Sequence, residues 1–175
     1  MKRNRPGRAI ISERRLRDRV RALGRKIRAD YKGRDLALVA ILKGSFIFMA
    51  DLSRAIGLPL TCDFLAVSSY GSGTTSNGRV KIDRGLDRPI RGKHVLVVED
   101  IVDTGSTLAR VVGELRRLRP ASLRLAVLFR KSARERVAVP IDYLGFTIPD
   151  KFVVGYGLDH DGRHRNLPYL AALDS

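Results

Sequence analysis

Two continuous apolar runs of strand length, and a third that only Arg124 interrupts, constrain the fold of this 175-residue chain more than any other feature. They span residues 36–42, 95–98 and 123–129, and helical patterns follow the first two. Strands that are apolar on both faces are typical of parallel sheets that helices cover on both sides. We therefore predict an α/β fold with a doubly wound parallel sheet, in which ligands bind beyond the carboxyl ends of the strands.

The predicted helices have apolar stripes and recognisable ends. Over residues 12–29 apolar side chains recur every three or four positions, and the opposite face is almost entirely arginine. A second helical pattern begins at Phe46, and a third covers residues 106–118 before Pro120 ends it. Further short strands are predicted at residues 60–67, 143–148 and 152–156. No shift in composition marks a linker, so residues 1–175 are interpreted as one domain.

The positive charge of the chain is concentrated at its amino terminus. The net charge is +16, and residues 1–34 carry 14 Lys or Arg against three acidic residues, a net charge of +11. This segment comprises a basic arm, residues 1–11, and the first helix. Such a surface can bind RNA or another polyanion, but it is more often a solvated face, and no aromatic residue precedes Tyr31 to stack on bases. We favour the solvated face.

The chain has no segment that predicts secretion or insertion into a membrane. Its apolar runs fall well short of the roughly 20 residues that span a bilayer, and its basic amino terminus lacks the apolar stretch of a secretory signal. We expect a soluble, cytoplasmic protein. The one cysteine, Cys62, lies among apolar residues, so we expect it to be a small buried hydrophobic residue.

Acidic, glycine and hydroxyl residues separate the second apolar run from the third helix. The N–H groups of residues 103–107 open that helix, so a phosphate there meets hydrogen-bond donors and a favourable dipole. Gly105 lets the backbone approach a ligand closely. Glu99 and Asp100 can accept hydrogen bonds from a ribose or lie near magnesium, although both reach one sugar only if the chain has begun to turn there. Simple helix capping explains the same residues equally well.

Residues 95–108 closely resemble the signature with which type I phosphoribosyltransferases bind phosphoribosyl pyrophosphate (PRPP). Residues 42–45, 68–71 and 150–159, together with Lys131, resemble the hypoxanthine-guanine branch of that family. The resemblance implies the family's sheet with a small hood formed by the terminal segments. It also implies a magnesium-dependent enzyme of purine salvage that joins a 6-oxopurine to PRPP and releases IMP or GMP and pyrophosphate.

The same resemblance implies which residues bind PRPP and the metal. The residues that contact PRPP and its ribose phosphate are Glu99, Asp100, Asp103, Thr104, Gly105, Ser106 and Thr107. Those that hold pyrophosphate are Lys43, Gly44 and Arg165, and the family often has a cis peptide at the position of Leu42 and Lys43. The implied ligands of Mg²⁺ are Glu99, Asp100 and Asp159.

Base recognition and catalysis are also implied by the family pattern. Asp103 is the catalytic residue, which takes or shares the proton at purine N7. The purine-binding residues are Lys131, which faces the 6-oxo oxygen, Phe152, which stacks on the ring, Val153 and Asp159. A mobile loop, residues 68–79, carries Ser69 and Tyr70 near the reacting centre and closes over the site.

Other functions are compatible with parts of the sequence, and the sequence departs from the family pattern in two places. An RNA-binding regulator built on the same fold is the alternative from a different class, and orotate, uracil and adenine transferases are closer rivals that the purine-site matches disfavour. The family implies a homodimer or homotetramer. The sequence departs from the family pattern around Lys131, where Arg130 precedes it and Ser132-Ala133-Arg134 follows, and in the tail, where we expect His160 and His164 to be exposed.

Overall fold

The computed structural model describes residues 6–69, 80–134 and 136–173, which form two β-sheets, three α-helices and one 3₁₀ turn. None of these helices is long and apolar enough to cross a membrane. The helices are α1 (Glu13–Tyr31), α2 (Phe46–Ile56) and α3 (Ser106–Arg117), and the 3₁₀ turn is Ser132–Arg134. The strands are β1 (Pro6–Ile11), β2 (Leu36–Leu42), β3 (Leu60–Ser69), β4 (Val80–Arg84), β5 (His94–Val102), β6 (Ser122–Arg130), β7 (Tyr143–Thr147), β8 (Val153–Val154) and β9 (Leu170–Leu173).

The larger sheet has six strands in the order β4-β3-β2-β5-β6-β7. The parallel part of this sheet consists of β3, β2, β5, β6 and β7. β4 joins one edge and pairs antiparallel to the end of β3. The chain winds outward in both directions from the adjacent β2 and β5, which makes their carboxyl ends the switch point where such sheets bind ligands. The predicted doubly wound sheet is confirmed, with β4 as an antiparallel addition.

The central strands are buried on both faces, which explains their continuous apolar sequence. Along β2, Leu36 and Leu38 pack into a core with α1 and α2, whereas Ala37 and Val39 pack into a second core with α3. Successive side chains of a strand point to opposite faces, so helices are required on both sides of the sheet. Gly24 brings α1 close to α2, because a Cβ at this position would lie 2.6 Å from the backbone of Ala55. The apolar stripe predicted for α1 is buried as Leu16, Val20, Leu23 and Ile27.

A small antiparallel sheet joins the two ends of the chain in the order β1-β9-β8. It is the hood that the family resemblance implied. Residues 6–11 of the predicted basic arm therefore form a strand, and residues 1–5 lie outside the described ranges. The strand predicted at residues 152–156 is reduced to β8, because Gly155 and Tyr156 adopt positive φ angles of 102° and 49° that end the extended conformation.

Other expectations also differ from the structure. β5 runs from His94 to Val102, beyond the strand predicted at residues 95–98, so Glu99 and Asp100 still belong to the strand. β3 runs through Ser69, inside the segment predicted as a loop, and residues 70–79 lie outside the described ranges. Cys62 is exposed, not buried. Its exposure follows from the pairing of β4 with residues 66–69 alone, which leaves the start of β3 as a sheet edge.

Candidate functional site

A cavity of about 360 Å³ opens at the carboxyl ends of β2 and β5. Its walls come from the turn after β2, the end of β5 and residues 152–165, which are far apart in the sequence. Ile101 and Phe152 contribute apolar surface, and Glu99, Lys131 and Arg165 contribute charge. This arrangement suits a ligand with both polar and flat apolar parts.

A smaller cavity of about 180 Å³ lies at the start of α3 and shares Glu99 and Asp103 with the first. Gly105 precedes α3 with a φ of 81°, a left-handed conformation that glycine adopts without steric cost. A Cβ at this position would lie 2.2 Å from the carbonyl oxygen of Val137. The first N–H groups of a helix have no intrahelical partner, so α3 presents hydrogen-bond donors to this cavity.

The turn after β2 brings backbone atoms against the carboxylates of β5. The peptide bond between Leu42 and Lys43 is cis, as the family resemblance implied. Gly44 leaves room for Asp100, because a Cβ at residue 44 would lie 1.6 Å from Asp100 Oδ2. Gly157 packs on the same turn, since its own Cβ would lie 2.0 Å from the carbonyl oxygen of Gly44. Two glycines therefore determine how closely the three walls approach.

The carboxyl groups of Glu99 and Asp100 are buried next to each other. Burial raises the pKa of Glu99 well above its ordinary value, and the charge of Asp100 raises it further. Burial also raises the pKa of Asp100, although hydrogen bonds from Glu99 and from the Ile101 N–H, at 2.8 Å, oppose that shift. Glu99 Oε2 is buried without a hydrogen-bond partner among the described residues. Buried acceptor oxygens without donors are suited to a cation or to hydroxyl groups of a ligand.

The carboxylates at this site fit magnesium only if a bound substrate supplies further oxygen ligands. Asp159 lines the same cavity, but Arg165 Nη2 lies 2.6 Å from its carboxylate and the Gly162 N–H donates to it at 2.8 Å. In the described ranges, no three His, Cys, Asp or Glu side chains are grouped so that they could hold a metal by themselves. Magnesium usually takes one or two carboxylates, several waters and substrate phosphates. Glu99 and Asp100 fit that pattern.

Four charged side chains form a continuous network beside the cavity. Lys131 Nζ lies 3.8 Å from Asp150 Oδ1, and Arg134 Nε lies 3.3 Å from Asp150 Oδ2. Arg134 Nη1 lies 3.3 Å from Asp103 Oδ2. The side chain of Lys131 is only 8% exposed, so this network, and not bulk solvent, surrounds its ammonium group. The network therefore links Lys131 to Asp103 through two intermediate charges.

The ring of Phe152 is 55% exposed, although large aromatic side chains are usually buried. His160 contacts this ring edge to face, with centroids 5.4 Å apart and planes at 88°. His160 and His164 are half-buried, so the expectation that both are exposed is wrong. His160 is half-buried because it packs against Phe152, and this contact forms only when the segment folds. The exposed ring borders the larger cavity and is available for stacking.

The comparison with known proteins agrees with this geometry. Residues 9–161 match the phosphoribosyl transferase domain family. The chain belongs to the phosphoribosyltransferase family.

The relatives of this phosphoribosyltransferase lie in the hypoxanthine-guanine branch. The hypoxanthine phosphoribosyltransferase of Haemophilus influenzae is 48% identical over 164 residues, which cover 92% of each chain. The hypoxanthine-guanine phosphoribosyltransferase of Mycobacterium avium is 47% identical over 94% of this chain and 84% of that protein. A crystal structure of a hypoxanthine phosphoribosyltransferase from Staphylococcus aureus has a TM-score of 0.93 at 40% identity and covers 97% of this chain and 92% of that chain. The family resemblance read from the sequence is confirmed.

The structure brings most of the predicted site residues of this phosphoribosyltransferase together. Those that line the larger cavity are Lys43, Gly44, Glu99, Asp100, Asp103, Lys131, Phe152, Val153, Asp159 and Arg165. Thr104, Gly105 and Thr107 line the smaller cavity, and Ser106 begins α3. Ser69 is the last residue of β3, and Tyr70 lies outside the described ranges.

Two charged residues of the site were missed by the sequence analysis. Arg134 bridges Asp103 and Asp150, and Asp150 contacts Lys131. Arg134 follows Lys131 by three residues, the repeat of the 3₁₀ turn in which it lies. That spacing places the two cations on one side of the turn. It is the sequence pattern from which Arg134 could have been predicted as a site residue.

Glu99→Gln is expected to increase the free energy of unfolding by about 1–3 kcal/mol at about pH 8, because a neutral amide replaces a buried carboxyl that the folded state must either protonate or leave charged without a partner. A raised carboxyl pKa means that the folded state holds a proton that the unfolded chain releases. Wild-type stability therefore falls as the pH rises above the ordinary Glu value, and the variant lacks this loss. Urea unfolding in EDTA at about pH 5 and about pH 8 measures the difference.

The matched control for this prediction is Glu114→Gln. Glu114 is a partly exposed acid on α3 that pairs with Arg117 at 2.8 Å. Exposed pairs of this kind contribute about 0–1 kcal/mol, so the control is expected to change stability little at either pH. A Glu99→Gln protein that is no more stable than wild type at about pH 8 contradicts the assignment of a buried, unpaired charge.

Proposed function

We propose that this chain joins hypoxanthine or guanine to PRPP and releases IMP or GMP and pyrophosphate, as an enzyme of purine salvage. One observation carries the proposal: a single cavity is lined by Lys131 and Phe152, by Glu99 and Asp100, and by the turn that contains Gly44. These three groups correspond chemically to a base, a ribose and a pyrophosphate. Glycosyl transfer is also the chemistry of the family to which the chain belongs.

Lys131 and Phe152 recognise the base in this proposal. A lysine ammonium only donates hydrogen bonds, so it suits the oxygen of a 6-oxopurine, whereas adenine presents an amino group there and leaves two donors opposed. The exposed ring of Phe152 offers a surface on which a flat purine stacks. Val153 and Asp159 border the same end of the cavity.

Lys43, Gly44 and Arg165 receive the pyrophosphate. Arg165 is held on two sides, because its Nη1 donates to the Gly157 carbonyl oxygen at 2.6 Å and its Nη2 lies 2.6 Å from Asp159 Oδ1. A guanidinium that is already oriented loses little conformational freedom when it binds a phosphate. Magnesium, held through Glu99, Asp100 or Asp159, supplies charge neutralisation at the pyrophosphate.

Residues 103–107 hold the 5′-phosphate at the start of α3 in this proposal. The N–H groups there, together with the hydroxyl groups of Thr104, Ser106 and Thr107, provide the donors that a phosphate dianion requires. The segment of residues 68–79, with Ser69 and Tyr70, covers the reacting ribose carbon. Exclusion of water matters because water competes with the purine for a ribose carbon that develops positive charge.

Lys131→Ala is expected to raise the KM for hypoxanthine by about 10- to 100-fold, because a hydrogen bond to a charged group contributes about 1.5–3 kcal/mol. The variant also discriminates less between hypoxanthine and adenine. Steady-state kinetics with both bases measures the two effects. Lys151→Ala removes an exposed lysine next to Phe152 and serves as the control with wild-type constants. An unchanged KM for hypoxanthine in Lys131→Ala argues against the contact with the 6-oxo oxygen.

Pyrophosphate release from PRPP and magnesium tests the reaction itself. Hypoxanthine, guanine, xanthine, adenine, uracil and orotate are supplied separately. Turnover confined to 6-oxopurines supports the proposal, and turnover confined to another base assigns the chain to one of the rival transferases. Absence of turnover with every base, combined with an RNA mobility shift that weakens steeply with salt, supports the RNA-binding alternative instead.

We also propose that the protein is a cytoplasmic homodimer or homotetramer. The family resemblance supports self-association, and Phe46, at the start of α2, leaves 43% of a large apolar residue exposed for an interface to cover. Size-exclusion chromatography with light scattering measures the state. A monomer at micromolar concentration contradicts this part of the proposal.

A further inference from the structure

A third cavity, formed by other described residues, lies outside the site described above. Its volume is about 570 Å³, compared with about 360 Å³ for the cavity that holds the predicted site residues. It is bordered by α1, by α2 and by residues 166–168, and the proposed reaction uses none of these walls. The volume falls within the range of about 300–1,000 Å³ that is typical of ligand sites.

Two arginines that have no partner among the described residues line this cavity. Arg17 and Arg21 lie one helical turn apart on α1. Arg19 and Arg28 of the same helix donate to backbone carbonyl groups of other elements. Arg17 and Arg21, in contrast, make no hydrogen bond, ion pair or ring contact within the described part of the chain. Guanidinium groups placed side by side are suited to phosphate oxygens.

Two acids also line the cavity, and their charges are balanced locally. Asp51 pairs with Arg54 and accepts a hydrogen bond from the Tyr156 hydroxyl at 2.5 Å. Burial raises the pKa of Tyr156, so its hydroxyl remains a donor. Glu13 lies in the first turn of α1, where the helix dipole stabilises a negative charge. The two unpartnered arginines therefore leave this cavity positive, in a chain whose net charge is +16.

The rest of the lining is apolar apart from one amide. The apolar residues are Val20, Ile47, Ala55, Leu167 and Pro168, and Asn166 supplies the amide. A lone phosphate leaves this apolar surface unused, whereas a heterocycle joined to phosphates covers it and can exchange hydrogen bonds with Asn166. We propose that this cavity binds a nucleoside polyphosphate, whose phosphates reach both arginines, at a site separate from the catalytic one.

The proposed site adjoins the pyrophosphate end of the catalytic cavity through residues that neighbour each other in the chain. Asn166 directly follows Arg165, and Ile47 lies on the first turn of α2, just after Gly44. Tyr156 precedes Gly157, which packs against the carbonyl oxygen of Gly44. A ligand that moves any of these walls changes the position of groups proposed to hold pyrophosphate. We therefore expect the nucleotide to change the KM for PRPP more than the KM for the base.

Binding of radiolabelled ATP, measured by equilibrium dialysis of the full chain, tests the proposal. GMP at saturating concentration keeps the catalytic cavity filled, so that only binding elsewhere is counted. The variant is Arg17→Gln/Arg21→Gln, and the matched control is Arg14→Gln/Arg25→Gln. The control removes the same charge from the same helix at residues that do not line the cavity. Neither pair has a partner within the described residues, so both double variants are expected to unfold at the wild-type temperature.

The expected result is ATP binding that GMP does not displace. The Arg17→Gln/Arg21→Gln protein is expected to weaken this binding by about tenfold or more, because charge-assisted hydrogen bonds to phosphate are lost. The control is expected to weaken it by less than about twofold, because its charges are screened at a distance. Three outcomes overturn the proposal: no GMP-resistant binding at millimolar ATP, equal weakening by both pairs, or GMP-resistant binding that neither pair affects. Equal weakening assigns the effect to general attraction of polyanions by α1.

Discussion

Asp103→Asn is expected to lower kcat with 6-oxopurines by about 10²–10⁴-fold, the usual contribution of a positioned general acid or base. Asp103 lines both cavities of the site. Its Oδ2 lies 3.3 Å from Arg134 Nη1, and its Oδ1 is buried without a hydrogen-bond partner among the described residues. An acceptor oxygen in that position is available for the proton at purine N7. Asparagine keeps the shape of the side chain but cannot take that proton.

The dependence of kcat on pH, measured with hypoxanthine from about pH 6 to about pH 9, tests this role. Asp161→Asn is the matched control, because it makes the same chemical change at a side chain that is 86% exposed. It is expected to keep wild-type kcat. Wild-type turnover of Asp103→Asn across this range contradicts a proton-transfer role. A raised KM at unchanged kcat assigns Asp103 to substrate binding instead.

The sequence predicted those helices and strands whose own residues follow a recognisable apolar pattern. Residues 36–42 form β2 within the predicted bounds, because burial on both faces requires an uninterrupted apolar run. The arginine-faced helix was found for the same kind of reason, since its buried stripe repeats with the helical period. β1, β4 and β9 were not predicted. Each is short and stabilised by pairing with a distant strand, which no local pattern records.

Some residues of the candidate site could likewise be predicted from the local sequence, and some contacts could not. The acids and hydroxyl residues between β5 and α3 stood out as a local group, and the family resemblance supplied roles for them. The contacts of Arg134 with Asp103 and Asp150 were not predicted, because they depend on where the 3₁₀ turn lies relative to the end of β5. The exposure of Cys62 was missed for a related reason, since it depends on the length of the neighbouring β4. Both features depend on how elements pack against one another, which the local periodicity of the sequence does not determine.

Gly44→Ala is expected to lower kcat/KM for PRPP by about 10²-fold or more, the loss that a displacement of about 1 Å produces in a catalytic site. The added Cβ would lie 1.6 Å from Asp100 Oδ2 and 2.7 Å from its Cγ, so the carboxylate or the turn must move. The turn has little room to retreat, because Gly157 packs directly on the Gly44 carbonyl oxygen. Asp100 itself is 6% exposed and cannot simply rotate into solvent.

Another glycine of the chain provides a matched control for Gly44→Ala. Gly113→Ala introduces the same methyl group on α3, where no atom beyond the adjacent helix backbone lies within 4 Å of the added Cβ. It is expected to keep wild-type kinetics and to stabilise the helix by about 0.5–1 kcal/mol. Steady-state kinetics with PRPP as the varied substrate, together with urea unfolding, compares the two variants. Wild-type kcat/KM for PRPP in Gly44→Ala shows that the close contact between Gly44 and Asp100 is not required. Lost activity in a variant that unfolds like wild type locates the effect in the site, because the cost then lies in the position of Asp100 and not in the fold.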